Sequence, residues 1–323
     1  TRRTRGVALR VIRDGRVGLA STTELSDPGR LVDDAIAVAE FGARVGYDLP
    51  AQIDSAGLDI FDPAAEDLSV ERMVEMGQGM IDRARAENDA LLCEAELDRA
   101  VISIGILNSA GGRGAYRRSS FSAGFSANLI RGTDMLDVWE GRASCRLDFD
   151  PLSLADIVLE KVRLAEQPAR VPTAQLPVIL TPKGTASTLL SSLASGFNGK
   201  MVLEGASPVG DKLGQPAFSP KLTIYDDGRI PFAPASAPFD DEGVPTRRTA
   251  LVQGGVVSAF LYDLYTAARA GTQTTGNANR SLGSLPSPSS HSLWVEPGDA
   301  SLDDMLADIS EELLIDRVAE VLM

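Results

Sequence analysis

Between Ser120 and Ile130 one residue in two is apolar: Phe121, Ala123, Phe125, Ala127 and Leu129 fall on alternate positions. Side chains of an extended strand point to opposite faces in turn, so this pattern buries one face and leaves the other open. An antiparallel sheet with one covered face is therefore required, together with apolar helices to cover it. Further strands are expected at Leu92–Arg99, Val101–Leu107 and Tyr116–Arg131, joined by a glycine-rich turn over Asn108–Gly114. Two helices can supply the cover. One, over Ser69–Ala86, sets Val70, Met73, Val74, Met80 and Ile81 on one side. Its methionines (Met73, Met76, Met80) could form a soft peptide-binding surface, but a core face is the simpler reading. The other opens at Asp150-Pro151 and carries Leu154, Ile157, Val158, Val162 and Ala165 as its inward stripe.

Before this sheet, Val7–Ile12 and Arg16–Ala20 flank an Asp14-Gly15 turn, the signature of a tight hairpin. Ser26-Asp27-Pro28 then starts a helix over Leu31–Val45 with Ala35, Ile36, Ala39 and Ala43 at helical spacing. Three prolines within Gln167–Pro177 mark a boundary, so two domains are expected, 1–170 and 171–323. The second reads as a strand at Val178–Leu180 and a helix from Thr181-Pro182 to about Ser195. A hairpin around Gln253-Gly254-Gly255 follows, then a short helix capped by Asp263 and ended by Gly271. Ser281–Ser292 reads as an exposed serine-rich loop. A last helix opens at Ser301 with Leu306, Ile309, Leu313, Leu314 and Val318 on its apolar side. The class is α+β, with a mixed N-terminal domain containing antiparallel strands and a β-rich C-terminal one. Because the chain stops on Val318, Val321, Leu322 and Met323, further sequence is expected beyond both ends, above all the C-terminal one.

Composition narrows the function. A net charge of −14 over 323 residues opposes direct binding to nucleic acid or to an anionic membrane, since both draw affinity from Lys and Arg. No apolar run is long enough to span a membrane and no signal peptide opens the chain, so a cytoplasmic protein is expected. Cys93 and Cys145 stand far apart without metal-ligand spacing. With His291, the single histidine, they are the only soft or borderline ligands, scattered over two domains, so no metal is expected in this chain. His291 lies in Ser289-Ser290-His291-Ser292 and reads as an exposed loop residue; no Gly-x-Ser-x-Gly elbow accompanies it as a hydrolase base. The glycine clusters at Gly111–Gly114 and Gly196–Lys200 lack phosphate-loop spacing and read as turns.

Two segments remain. Pro238-Phe-Asp-Asp-Glu-Gly-Val-Pro-Thr246 contains Asp240, Asp241 and Glu242 without the alternation of a calcium loop, and a solvated turn is the simpler reading. At Gln273-Thr-Thr-Gly-Asn-Ala-Asn-Arg280, Gly276 and Asn277 favour unusual backbone angles, Thr275 can bond locally, and Arg280 can pair with a carboxylate. A recognition turn and a turn held by its own hydrogen bonds stand equally open here.

In order and spacing these two segments resemble the signature region of the TldD/PmbA family, historically labelled modulator of DNA gyrase, and the Asn108 turn with Tyr116-Arg117-Arg118-Ser119 is similar to its N-terminal domain. The resemblance implies a barrel-like C-terminal domain and a dimer enclosing a channel for unfolded peptides, bound as an added strand. Catalytic members are zinc peptidases with His-Glu-x-x-x-His on the helix after the Thr181-Pro182 position. Here Leu189-Leu190 is followed by Ser191 and Ser192, and the second ligand position falls at Ser195 or Gly196. By resemblance the chain fits the PmbA (TldE) branch, without metal of its own. A TldD-like catalytic partner would supply zinc and base, with Asp240, Asp241, Glu242, Thr275, Gly276, Asn277 and Arg280 as candidate substrate or partner contacts. Alternatives are a stand-alone homodimeric peptide-binding module and a topoisomerase modulator.

Overall fold

A computed structural model describes residues 3–54, 57–165, 171–308 and 313–316. The chain opens with the expected hairpin, β1 (Val7–Arg13) and β2 (Arg16–Thr22), turning through Asp14 and Gly15 at φ of 50° and 73°. Both central residues are left-handed, the geometry that matches the twist of paired strands. Helix α1 (Pro28–Ala39) lies across it, with Asp27 capping its N-terminus and Leu31, Ala35 and Ala39 buried. It stops six residues short of the expected Val45. Beyond Ala39 the chain turns back, and Val17 N–H donates to the Ala43 carbonyl at 3.0 Å.

Next come α2 (Pro63–Asp67), α3 (Val70–Glu87) and a three-stranded antiparallel sheet of β3 (Leu92–Leu107), β4 (Arg113–Arg131) and β5 (Asp134–Ser144), in the order β3-β4-β5. The break expected near Ala100 is absent, and pairing runs from Leu92↔Asn128 to Leu107↔Arg113. Phe121, Ala123, Phe125 and Ala127 lie on the buried face, as their alternation requires, under α3 and α4 (Leu152–Leu164). Within α3 the inward residues are Gly77, Met80 and Ala84, while Val70 and Val74 are exposed. In α4, Ala155 and Leu159 face in with Leu154, Val158 and Val162, and Ile157 is exposed. In α3, Gly77 and Ala84 let the helix sit close to the sheet on either side of Met80, while in α4 large aliphatic residues fill the inward face around Ala155.

Beyond residue 170, β6 (Val178–Leu180) leads into one helical run of α5 (Pro182–Gly184), a π-helical turn (Thr185–Leu190) and α6 (Ser191–Gly196), then α7 (Gly199–Leu203). β7 (Ile224–Asp227), β8 (Arg248–Gln253) and β9 (Val256–Val257) follow, then α8 (Leu264–Ala270) and the short strands β10 (Ala278–Asn279), β11 (Ser287–Pro288) and β12 (Leu293–Val295). α9 (Leu302–Asp308) and β13 (Leu313–Ile315) end the description. The principal sheet here is open and antiparallel, ordered β12-β7-β8-β9, around a core of Phe197, Ile224, Leu251, Val252 and Leu261.

Among the described residues no sheet closes into the expected barrel; β10–β11 and the parallel pair β6–β13 stand as separate two-stranded units. The last expected helix is also corrected. Leu313 and Leu314 belong to β13, paired with Val178 and Ile179, while Ile309, Val318 and the final apolar residues lie outside the described ones. No helix among the described residues is long and apolar enough to cross a membrane.

The loop 232–242 docks on β4 and on the residue that follows β5. Cys145 N–H donates to the Phe232 carbonyl at 2.8 Å, and Tyr116 meets Phe239 edge-to-face with ring centroids 5.1 Å apart. Elsewhere Lys161 and Lys183 share Glu140, and Lys161 also pairs with Asp316 at 2.5 Å.

The hairpin's seat on α1 depends on one missing side chain. A Cβ on Gly18 would lie 2.1 Å from the Ala35 carbonyl oxygen and 2.5 Å from the Ala39 nitrogen, both backbone atoms. Gly18→Ala should destabilise the fold by about 1–3 kcal/mol, read as a lower urea midpoint with an unchanged slope.

Candidate functional site

The Asp240–Glu242 stretch is not the solvated turn expected from sequence. Asp240 is 4% exposed and Glu242 3%. Asp240 closes its own loop, Oδ1 accepting from Glu242 N and Val244 N at 2.9 Å each, and Oδ2 accepts from Ala278 N at 3.0 Å. Burial pushes its carboxyl up to about 7, against the pull of those three N–H donors toward the charged form. Glu242 accepts from Leu264 N at the start of α8 at 2.7 Å and forms an ion pair with Arg10 of β1. Burial raises its pKa, and Arg10 opposes the rise. Asp241 is half-buried and accepts from Arg280 N at 2.8 Å. Its pKa is raised by burial, opposed by that bond and by the charges of Arg280 and Arg118. These carboxylates join the N-terminal hairpin, α8 and β10, so Asp240 and Glu242 are committed to the protein's own groups.

The Thr274–Arg280 turn is likewise held by its own bonds. Thr275 Oγ1 accepts from Tyr262 N at 2.8 Å, and Gly276 N–H donates to Thr274 Oγ1 at 3.2 Å. Gly276 has φ of 74°, and a Cβ there would stand 2.4 Å from the Pro245 carbonyl oxygen, so glycine is required. Asn277 is buried; its Nδ2 donates to Asp226 Oδ2 at 2.6 Å and to the Ser289 carbonyl at 3.0 Å. Arg280 is partly buried, and its Nη1 has no hydrogen-bond partner among the described residues. The four candidates of this turn thus divide: Thr275, Gly276 and Asn277 build it, and Arg280 carries a buried Nη1 without a partner among the described residues.

His291 is not an exposed loop residue, as expected from sequence. Its side chain is 13% exposed against a fully buried Asp226, with Nδ1 3.3 Å from Asp226 Oδ2 and 3.0 Å from Asn277 Nδ2, while its backbone N–H donates to Asp226 Oδ1 at 2.7 Å. Sequence reasoning missed this network. One signal was available, since Asp226 shares the inward phase of β7 with Ile224, where an apolar residue belongs. The Ser281–Ser292 segment is only partly open: β11 lies within it, and Pro288 is buried, its carbonyl accepting from Asn198 Nδ2 at 2.7 Å.

Two cavities flank this region. One of about 240 Å³, mainly apolar, lies between Tyr47, Tyr265 and Leu285 with the Arg10–Glu242 pair in its wall. The other, about 290 Å³ and mainly polar, is lined by Arg118, Asn277, Asn279, Ser290 and His291.

At the positions where resemblance sets a zinc motif, the donor set does not fit the metal. Ser191, Ser192 and Ser195 are exposed, and each hydroxyl donates back into its own helix: Ser191 to the Ser187 carbonyl, Ser192 to Thr188 at 2.9 Å, Ser195 to Ser192 at 3.2 Å. Gly196 offers no side chain. Zinc sites of peptidases draw on imidazole, thiolate or carboxylate. No cluster of three or more His, Cys, Asp or Glu suited to a metal ion occurs among the described residues.

Comparison with known proteins gives the setting. Residues 173–322 match the family model described as the PmbA/TldA metallopeptidase C-terminal domain, and residues 1–39 match domain 1 of the same metallopeptidases. An uncharacterized protein of Methanocaldococcus jannaschii is 28% identical over 309 residues, covering 93% of this chain and 70% of that relative. The metalloprotease PmbA of Escherichia coli O157:H7 is 27% identical over 293 residues, covering 84% of this chain and 62% of its own length. The crystal structure of TldE from Thermococcus kodakarensis aligns with a TM-score of 0.85 at 24% identity, over 97% of this chain and 72% of that one. The mixed α/β, two-domain layout is consistent with that fold.

The Asp240 loop can be tested by pH. An unfolded aspartate titrates near about 3.9, so between about pH 4 and pH 7 the native state holds a proton that the unfolded chain has released. The sign follows: this group's contribution is complete below the window and is lost as pH rises through about 7. Urea unfolding should show wild-type stability falling relative to Asp240→Asn across that window. Below it the variant should be less stable by about 1–3 kcal/mol, because an amide NH2 cannot serve every acceptor role of the carboxyl.

Proposed function

Because the chain belongs to the TldD/PmbA family, whose relatives are named metalloproteases, we propose that it is the non-catalytic, PmbA-like subunit of a cytoplasmic peptidase complex acting on unfolded or short peptides. The observation that carries this reading is the self-bonded state of Ser191, Ser192 and Ser195 where catalytic relatives by resemblance hold their metal and base. Zinc, when bound by a partner chain, would supply Lewis acidity and an activated water there. This chain would contribute shape and peptide contacts. Arg280 is the candidate contact for a peptide or the catalytic chain by resemblance, a half-buried cation in no ion pair among the described residues, with Nη1 itself buried.

Three outcomes are expected. The purified chain alone should hold no stoichiometric zinc and cleave no peptide; one tightly bound zinc per chain with chelator-sensitive cleavage defeats the reading. Affinity capture from the native host should bring down a chain bearing His-Glu-x-x-x-His, and capture of only a second copy favours the homodimeric binding module. Arg280→Ala should lower partner-dependent cleavage roughly ten- to a hundredfold, the worth of a charge-assisted contact. Its melting temperature should stay within about a few degrees, because the Asp241 bond is made by the backbone N–H and survives.

A further inference from the structure

The polar cavity beside His291 is more specific than a general peptide surface. Asp226 fixes the ring. Asn277 Nδ2 lies 2.6 Å from Asp226 Oδ2, 3.0 Å from the Ser289 carbonyl and 3.0 Å from His291 Nδ1; its two hydrogens go to the two oxygens, the stronger acceptors, so that His291 Nδ1 is turned to carboxylate Oδ2 at 3.3 Å. A lone pair pointed at that carboxylate is repulsive, so Nδ1 carries the proton and Nε2 becomes the acceptor. Among the described residues Nε2 has no hydrogen-bond partner, and the ring lines the cavity. Across the same cavity stands Arg118 of β4. Its guanidinium makes one long hydrogen bond, 3.4 Å to the Ser236 carbonyl, and no ion pair among the described residues. The neighbouring carboxylate, Asp241, already accepts from Arg280 N. A cation and an imidazole acceptor thus share one small polar space, a pairing that fits an anion next to an N–H donor.

The free end of a peptide has that chemistry, a carboxylate one residue removed from its last amide N–H. We propose that this cavity captures peptide C-termini, Arg118 pairing with the terminal carboxylate and His291 Nε2 accepting the final peptide N–H, with Asp226 as the positioning residue. The proposal rests on the reading of this chain as a peptide-handling subunit and adds to it the end of the peptide that is recognised. At about 290 Å³ the space suits one terminal residue and not a longer segment.

The chain contains one histidine, so its imidazole is an unambiguous reporter. Long-range 1H–15N spectra of the full 15N-labelled chain, at a pH where the ring is neutral, should show Nδ1 protonated and Nε2 bare. Titration with N-acetyl-dialanine should move the Nε2 resonance to saturation, and its C-terminal amide should bind about tenfold more weakly or worse. Arg118→Gln should lose the preference for the acid while keeping the apo ring signals. A ring protonated on Nε2, equal affinity for acid and amide, no saturable shift with either, or an unchanged preference in Arg118→Gln overturns the proposal. The acid–amide comparison needs no variant and stands even where Arg118→Gln does not fold. Partner capture is scored separately. A chain that assembles but treats acid and amide alike keeps the subunit role and loses this site, and a chain that prefers the acid but finds no partner does the reverse.

Discussion

Two carboxylates withdrawn from water, Asp240 and Glu242, with half-buried Asp241 between them, tie the N-terminal hairpin, α8 and β10 to one loop. Burying a carboxylate is costly unless donors meet it. Asp240, Asp241 and Glu242 meet theirs on β10, at Arg280 and on α8 with Arg10. The loop is therefore a junction, since each acid is satisfied only when a different element is in place. Losing one element leaves a buried acid without its donor, which couples the N-terminal hairpin, α8 and the 274–280 turn more tightly than apolar contact alone. The same junction orders the ground between the two cavities, with Glu242 in the wall of the apolar one and Asp241 within the field of Arg118 beside the polar one.

The helix that follows Thr181 satisfies its own serines. Its serines turn their hydroxyls onto their own backbone, which satisfies them locally and leaves the helix exposed on that side. Gly199 lies against Tyr262 where a Cβ would be 2.3 Å from the ring, and Asn198 reaches across to the Pro288 carbonyl.

Much of the architecture was legible in the residues. The alternation from Phe121 to Leu129 required a covered antiparallel sheet, Asp14-Gly15 required the hairpin, and Asp263 and Gly271 bounded α8, because these signals act over a few bonds. Faces were less legible than elements. Val70 and Val74 are apolar and at helical spacing, yet they face out, since Gly77 and Ala84 let α3 approach along another stripe; in α4 the face turns toward Ala155 and Leu159 and leaves Ile157 exposed. The barrel expected from resemblance depends on sheet closure, a property of long-range pairing that spacing does not encode.

Sequence by itself determined most of the N-terminal elements, the family frame, the acidic balance and a serine-rich helix after Thr181 with no histidine on it. Only the tertiary structure decided what the polar residues are for. Asp240 and Glu242 read as solvated because acids in a run with Gly and Pro normally are, and His291 read as exposed because it lies among serines. Each is instead buried or half-buried against partners dozens to hundreds of residues away: Arg10 with Glu242, Asp226 with His291, Asp240 with Ala278. Burial and pairing across such distances follow from how the elements pack, and no local pattern in the chain fixes them.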